Sequence, residues 1–184
     1  YAIRRECFRP IAPQTILDDV LVPMQVAMAG RRVVFERDAH AFDEPMNDLA
    51  RERVRKVRTL AGNFQLLAAH PALLAPWRNP IWLQYFSHKV MRLLGPVALA
   101  VALATNLALA GEGPVYAAIL ALQLAGYGAA ALGAAWPAAR RVAPVRISMA
   151  FVAMNAFVVL GFLEFAGKRG TPMWKIAPAA ADDS

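Results

Sequence analysis

Three apolar stretches constrain this chain more than any other feature. They are residues 93–110 (LLGPVALAVALATNLALA), about 114–136 (PVYAAILALQLAGYGAAALGAAW) and about 147–165 (ISMAFVAMNAFVVLGFLEF). Each approaches the ~20 residues that an α-helix needs to cross a bilayer. Glu112 is the single charged residue between 93 and 136. With 58% hydrophobic residues and a mean hydropathy of +0.39, the chain is too apolar for an ordinary soluble domain. A polar half is therefore followed by a membrane half. Thr105, Asn106, Gln123 and Asn155 interrupt the spans. They read either as interhelical hydrogen-bonding groups or as the polar lining of a path for a translocated substrate. The second span is rich in Gly and Ala, which permits close helix packing.

The polar half divides again. Residues 1–47 read as alternating elements of an α/β domain. YAIRREC has strand-like character, and DDVLVPMQVAMAG reads as a helix with Gly30 as its C-cap glycine. RRVVFE reads as a short β-rich run, followed by a loop to Pro45. Residues 48–92 read as interfacial. From about 48 to 75, Leu49, Val54, Val57 and Leu60 fall near one helical face and arginines on the others, the pattern of a basic amphipathic helix lying on a membrane surface. Pro71, Pro76 and Pro80 then break the chain beside Trp77 and Trp82, aromatics that suit the headgroup region. Residues 93–165 are the membrane helices and 166–184 a tail.

The net charge of +7 comes from RERVRKVR (51–58), Arg78, Lys89, Arg92 and RRVAPVR (140–146), all beside apolar segments. Such placement points to anionic lipid headgroups and to retention on the cytoplasmic side. Nucleic acid is not an expected partner, because no nucleic-acid motif is present and the interleaved residues are aliphatic. The soluble half and the 140–146 loop should share the cytoplasmic side, with GEGP outside. Three crossings would then put GKRGTPMWK outside, against the positive-inside tendency. Either that tail is an exception or one span does not cross. The lone Cys7 reads as a plain thiol. His40, His70 and His88 lack metal-ligand spacing.

Asp18 and Asp19 stand at the start of the first helix, where either could serve as N-cap. The downstream sequence gives them a second reading. TILDD leads to GRRVVFERDAHAFDEP and then to RERVRKVRTLAGNFQ, just ahead of the membrane spans. This order resembles the C-terminal half of the catalytic domain in membrane-bound family 2 glycosyltransferases, the group of the cellulose, hyaluronan and poly-N-acetylglucosamine synthases. There an acidic pair opens a helix, a G-x-x-x-x-[YF]-x-x-x-[AV] run and an E-x-P element come next, and Q-x-x-R-W precedes the membrane helices. Gly30, Phe35, Ala39, Glu44-Pro45 and Arg58 fall in that order, and SHKVMR (87–92) and Trp174 also resemble the family.

The resemblance implies a fold: the C-terminal part of a GT-A-like α/β nucleotide-sugar transferase domain, then an all-α membrane region with about three transmembrane helices. It implies an inverting transfer from a nucleotide-diphospho-sugar to a saccharide or lipid-linked acceptor in envelope or extracellular polysaccharide synthesis. Asp19 matches the general base, which takes the proton of the acceptor hydroxyl. Asp18 matches the preceding acid and either orients the site or caps the helix. Arg58 matches the Arg of Q-x-x-R-W and could stabilise charge on the leaving diphosphate. Its bland reading is one more arginine on a solvated helix. Arg55 and Thr59 stand where the family has Gln and Trp at the acceptor site, a departure that weakens the case for a cellulose- or hyaluronan-like polymer.

In the family that the chain resembles, an upstream D-x-D binds the metal that bridges the nucleotide diphosphate; none occurs in this chain, which also opens without Met at YAIRRECF. The chain therefore reads as a fragment, inactive alone, with the nucleotide pocket and the ligands of a Mg²⁺ or Mn²⁺ ion expected before Tyr1. The expected location is the cytoplasmic membrane, with the catalytic part facing the cytoplasm. The competing reading is non-enzymatic: a small polytopic membrane protein whose basic helix docks on lipid or a partner. A transporter fragment fits poorly, since the spans are few and hold no mid-membrane charged pair.

Overall fold

The structure, a computed structural model, describes residues 2–40, 42 and 49–167. The Glu44–Pro45 pair, Trp174 and the basic run after Gly167 lie outside these. The structure is 74% helical, with no strand among the described residues. In chain order the helices are α1 (Asp18–Met28), α2 (Leu49–Ala69), α3 (Trp82–Tyr85), α4 (Met91–Leu109), α5 (Pro114–Ala135) and α6 (Ala143–Gly167). A π-turn at Phe86–Val90 joins α3 to α4.

The expected α/β domain over 1–47 is therefore corrected to helix and irregular backbone. YAIRREC holds a 3-10 turn at Arg5–Cys7 rather than a strand. RRVVFE is irregular backbone outside any sheet, with Val33, Val34 and Phe35 exposed. The reason is that β-propensity expresses packing against a neighbouring strand, not a preference of isolated backbone. No described segment supplies that neighbour.

Contacts divide the chain into two compact units. One joins the described residues up to Phe86 with those from Gly161, and the other is Ser87–Leu160.

In the first unit, α1 buries Leu21, Val22, Met24 and Val26. It stops as its sequence predicts. Gly30 takes φ +73, its N–H meets the Ala27 carbonyl at 3.0 Å, and the Arg31 N–H meets the Val26 carbonyl at 3.1 Å. These are the two bonds of a Schellman motif. The start differs from expectation. The N-cap position is Leu17, no side chain caps the helix, and Asp18 and Asp19 occupy its first turn. Pro23 has no N–H to offer the Asp19 carbonyl four residues back, so this first turn holds one backbone bond fewer.

α2 buries Leu60, Ala61 and Leu66, while Val54 points outward and does not join that face. The last turns of α6 bear on α2. A Cβ at Gly161 would lie 2.7 Å from Leu60 Cβ and 3.0 Å from the Ala61 backbone nitrogen, so only glycine allows this approach. Phe64 meets Phe162 edge-on at 5.3 Å between centroids and stacks with Phe165 at 6.3 Å. After α2 the proline-rich stretch is held by polar bonds. The buried Asn79 donates to the Leu73 carbonyl and accepts from the Ile81 N–H, and the Trp82 indole donates to the Leu74 carbonyl.

Among the described residues three helices are long and apolar enough to cross a membrane: Trp82–Leu109, Pro114–Ala135 and Ala143–Gly167. In the second unit the polar groups within the spans mostly bond helix to helix or to their own helix. Asn106 on α4 donates to Gln123 on α5 at 2.8 Å, and Gln123 donates to the Tyr127 hydroxyl at 3.0 Å. Thr105 and Asn155 bond carbonyls one turn back. Two glycines permit close helix approach. A Cβ at Gly95 would lie 2.7 Å from Asn155 Oδ1, and one at Gly133 would lie 2.8 Å from Val145 Cγ1.

Candidate functional site

The sequence places its chemistry on two pieces of chain, the acidic pair and the arginine helix. The structure joins them through the residues just before the pair. Gln65 on α2 reaches the Gln14–Ile16 backbone with both ends of its amide. Its Oε1 accepts from the Ile16 N–H at 3.0 Å, and its Nε2 donates to the Gln14 carbonyl at 2.9 Å. The side-chain amide thus pairs with this backbone as a peptide unit of a neighbouring strand would.

One turn back along α2, Gly62 lets the same segment come close. A Cβ there would lie 2.7 Å from Leu17 Cγ and 2.9 Å from Ile16 Cγ2. These contacts set the register. Gln65 meets residues 14–16 and Gly62 meets residues 16–17, so the segment runs opposite to α2 and heads toward the turn that carries Arg58.

Helical spacing adds the rest. Arg58, Gly62 and Gln65 succeed one another at i, i+4 and i+7 and share one face of α2. Arg55, three residues before Arg58, falls beside that face and is exposed. Thr59 is exposed and lies about 100° around the helix from Arg58. Its carbonyl accepts a hydrogen bond from Asn63 Nδ2 at 2.9 Å. Arg58 itself is half-buried. Lys56 pairs with Glu52 at 3.0 Å along the helix, a partly exposed pair of small energetic consequence.

Asp18 and Asp19 are both exposed. Two carboxylates in a first turn complement the positive end of the helix. Asp18 and Asp19 thus open α1 directly after the segment held on α2, while Arg58 stands on the α2 face of Gly62 and Gln65 with Arg55 beside it and Thr59 to one side.

The sequence has no D-x-D, and among the described residues no group of three His, Cys, Asp or Glu could hold a metal. No step of the chemistry assigned to this chain runs through a divalent cation.

Gln65 and Gly62 are the residues that sequence reasoning passed over. One signal was present. A glycine inside a helix costs about 1 kcal/mol relative to alanine, so Gly62 in the middle of α2 asks for a packing reason. Gln65 offers no such signal, because its partners lie 49 and 51 residues away. Compared with family models, curated proteins and solved structures, the chain has no match.

Proposed function

We propose that this chain carries the acceptor-activating part of a membrane-bound inverting glycosyltransferase. The observation that supports the reading is the exposed acidic pair opening α1, tethered through the preceding segment to the α2 face that carries Arg58, in a chain with three helices of membrane-spanning size. On this reading the donor is a nucleotide-diphospho-sugar and the acceptor a saccharide or lipid-linked hydroxyl.

The chemistry rests on what each group can do. The acceptor hydroxyl oxygen forms a bond to the anomeric carbon while the bond from that carbon to the diphosphate oxygen breaks. Attack from the opposite face inverts the centre. Asp19 takes the hydroxyl proton, a contribution of ~10²–10⁴-fold for a positioned base. Arg58 meets negative charge developing on the departing diphosphate. Asp18 supports the site beside Asp19. The resemblance assigns Arg55 and Thr59 to the acceptor site, and of the two only Arg55 falls beside the Arg58 face of α2. α1 and α2 lie at the cytoplasmic face, where nucleotide-sugars are found, and the basic side chains of α2 meet anionic headgroups.

The test is sugar transfer in membranes carrying the full-length protein, assayed with radiolabelled UDP-glucose, UDP-N-acetylglucosamine and GDP-mannose and with product size analysed. Asp19→Asn keeps the shape of the side chain and removes its basicity. Transfer should fall by about 10²-fold or more while expression and membrane insertion stay unchanged. Turnover near the parent rate would remove Asp19 from the role and favour a non-enzymatic membrane protein.

A further inference from the structure

We propose that Gln65 is a positioning residue for the acidic pair: its amide, with Gly62 one turn away, fixes the register of the Gln14–Leu17 segment on α2 and so sets where Asp19 stands relative to Arg58. The proposal rests on the glycosyltransferase reading and adds a residue that the resemblance does not assign.

An amide can do what an apolar side chain cannot. Gln65 makes two hydrogen bonds of opposite sense, one accepted and one donated, to backbone groups two residues apart. That pairing is directional, and a slip of one residue along the segment presents the wrong backbone group to each end of the amide. Gly62 limits the other degree of freedom. With no Cβ it lets Ile16 and Leu17 approach to contact, and any larger residue would meet Leu17 Cγ at 2.7 Å. Together the two residues fix sliding and separation.

Asp18 comes directly after Leu17, and α1 opens there. The acid pair therefore inherits its position from the clamp. A base must stand within hydrogen-bond reach of the proton it removes, and a displacement of about 1 Å can cost ~10²-fold in rate. Release of the clamp should act on the chemical step. Donor binding, which depends on other groups, should be spared.

Two variants at one position separate the clamp from the base. In the full-length protein, Gln65→Leu removes both hydrogen bonds at similar size, and Gln65→Glu keeps the acceptor for the Ile16 N–H but loses the donor to Gln14. The expected result is a fall in kcat of about 10²-fold for Gln65→Leu and a smaller fall for Gln65→Glu. The donor KM and the yield of inserted protein should not change.

A second position reads the geometry directly. Gly62→Ala adds a Cβ 2.7 Å from Leu17 Cγ and 2.9 Å from Ile16 Cγ2, which lifts the segment off α2. Gly62→Ala should lower kcat as Gln65→Leu does, with the donor KM and the yield of inserted protein unchanged.

Gln65→Leu at parent kcat, with Asp19→Asn inactive, overturns the clamp alone. Gly62→Ala at parent kcat overturns the register. Loss of inserted protein in parallel with rate reduces Gln65 to a structural residue and overturns the proposal. Asp19→Asn at the parent rate overturns the base and the positioning role together.

Discussion

At Gly30 the backbone turns left-handed with φ +73, and nothing lies within 4 Å of where a Cβ would sit. A substitution there meets strain without any clash. Gly30→Ala should therefore lose about 1–2 kcal/mol, the left-handed penalty for a residue with a Cβ. Gly30→Asn should lose less, since asparagine tolerates this region. Thermal unfolding in detergent reads both, and about 1 kcal/mol corresponds to roughly 2–4 °C in a chain of this size. An unchanged Tm for Gly30→Ala would mean that the α1 terminus contributes nothing to the cooperative unit. Gly30 was legible in the sequence because a C-cap glycine obeys a local rule. Asp18, Asp19 and Arg58 rest on the order of short motifs alone. Gly62 and Gln65 were not legible, since nothing within a helical turn of either residue reports a contact with residues 14–17. Even Asp18 and Asp19 were read a position off, because their spacing suits a cap and the structure gives that position to Leu17.

At the scale of elements, the apolar helices and α2 were written in the chain, since hydropathy and a 3.6-residue period are local properties. The extent of α2, Leu49–Ala69, falls short of the expected 48–75 because His70 and Pro71 close it. RRVVFE misled for the opposite reason: a strand depends on a second segment that its own residues do not encode. The polar groups within the spans carry a further prediction. Gln123 accepts from Asn106 across α4 and α5 and passes a hydrogen bond on to Tyr127. Asn106→Leu leaves the Gln123 oxygen without that donor, and Gln123→Leu leaves the Asn106 amide without its acceptor. Each single change should destabilise by about 0.5–1.5 kcal/mol, and the double change should cost less than the two together by about 0.6 kcal/mol. SDS unfolding of the four proteins of the cycle measures the coupling. A coupling of zero, with sugar transfer altered in both single variants, would instead assign the pair to a substrate path.

The whole molecule poses a question of parity that charge alone leaves in conflict. α2 is basic, the turn between α5 and α6 carries Arg140 and Arg141, and the sequence after Gly167 is basic again. By the positive-inside tendency all three belong on one side. Three complete crossings by Trp82–Leu109, Pro114–Ala135 and Ala143–Gly167 would separate the tail from α2. The packing of Gly161, Phe162 and Phe165 on α2 argues against that separation, because α2, with its many arginines, cannot itself stand across the bilayer. An even number of crossings, with the α6 terminus on the α2 side, would satisfy both the glycine contact and the charge distribution. Cysteines placed at Arg31 and Gly167 in a Cys7→Ser background distinguish the cases when sealed vesicles of known orientation meet a membrane-impermeant thiol reagent. Both positions should label from the same face. Labelling from opposite faces would mean that all three helices cross, and that the approach of α6 to α2 is not kept in the bilayer.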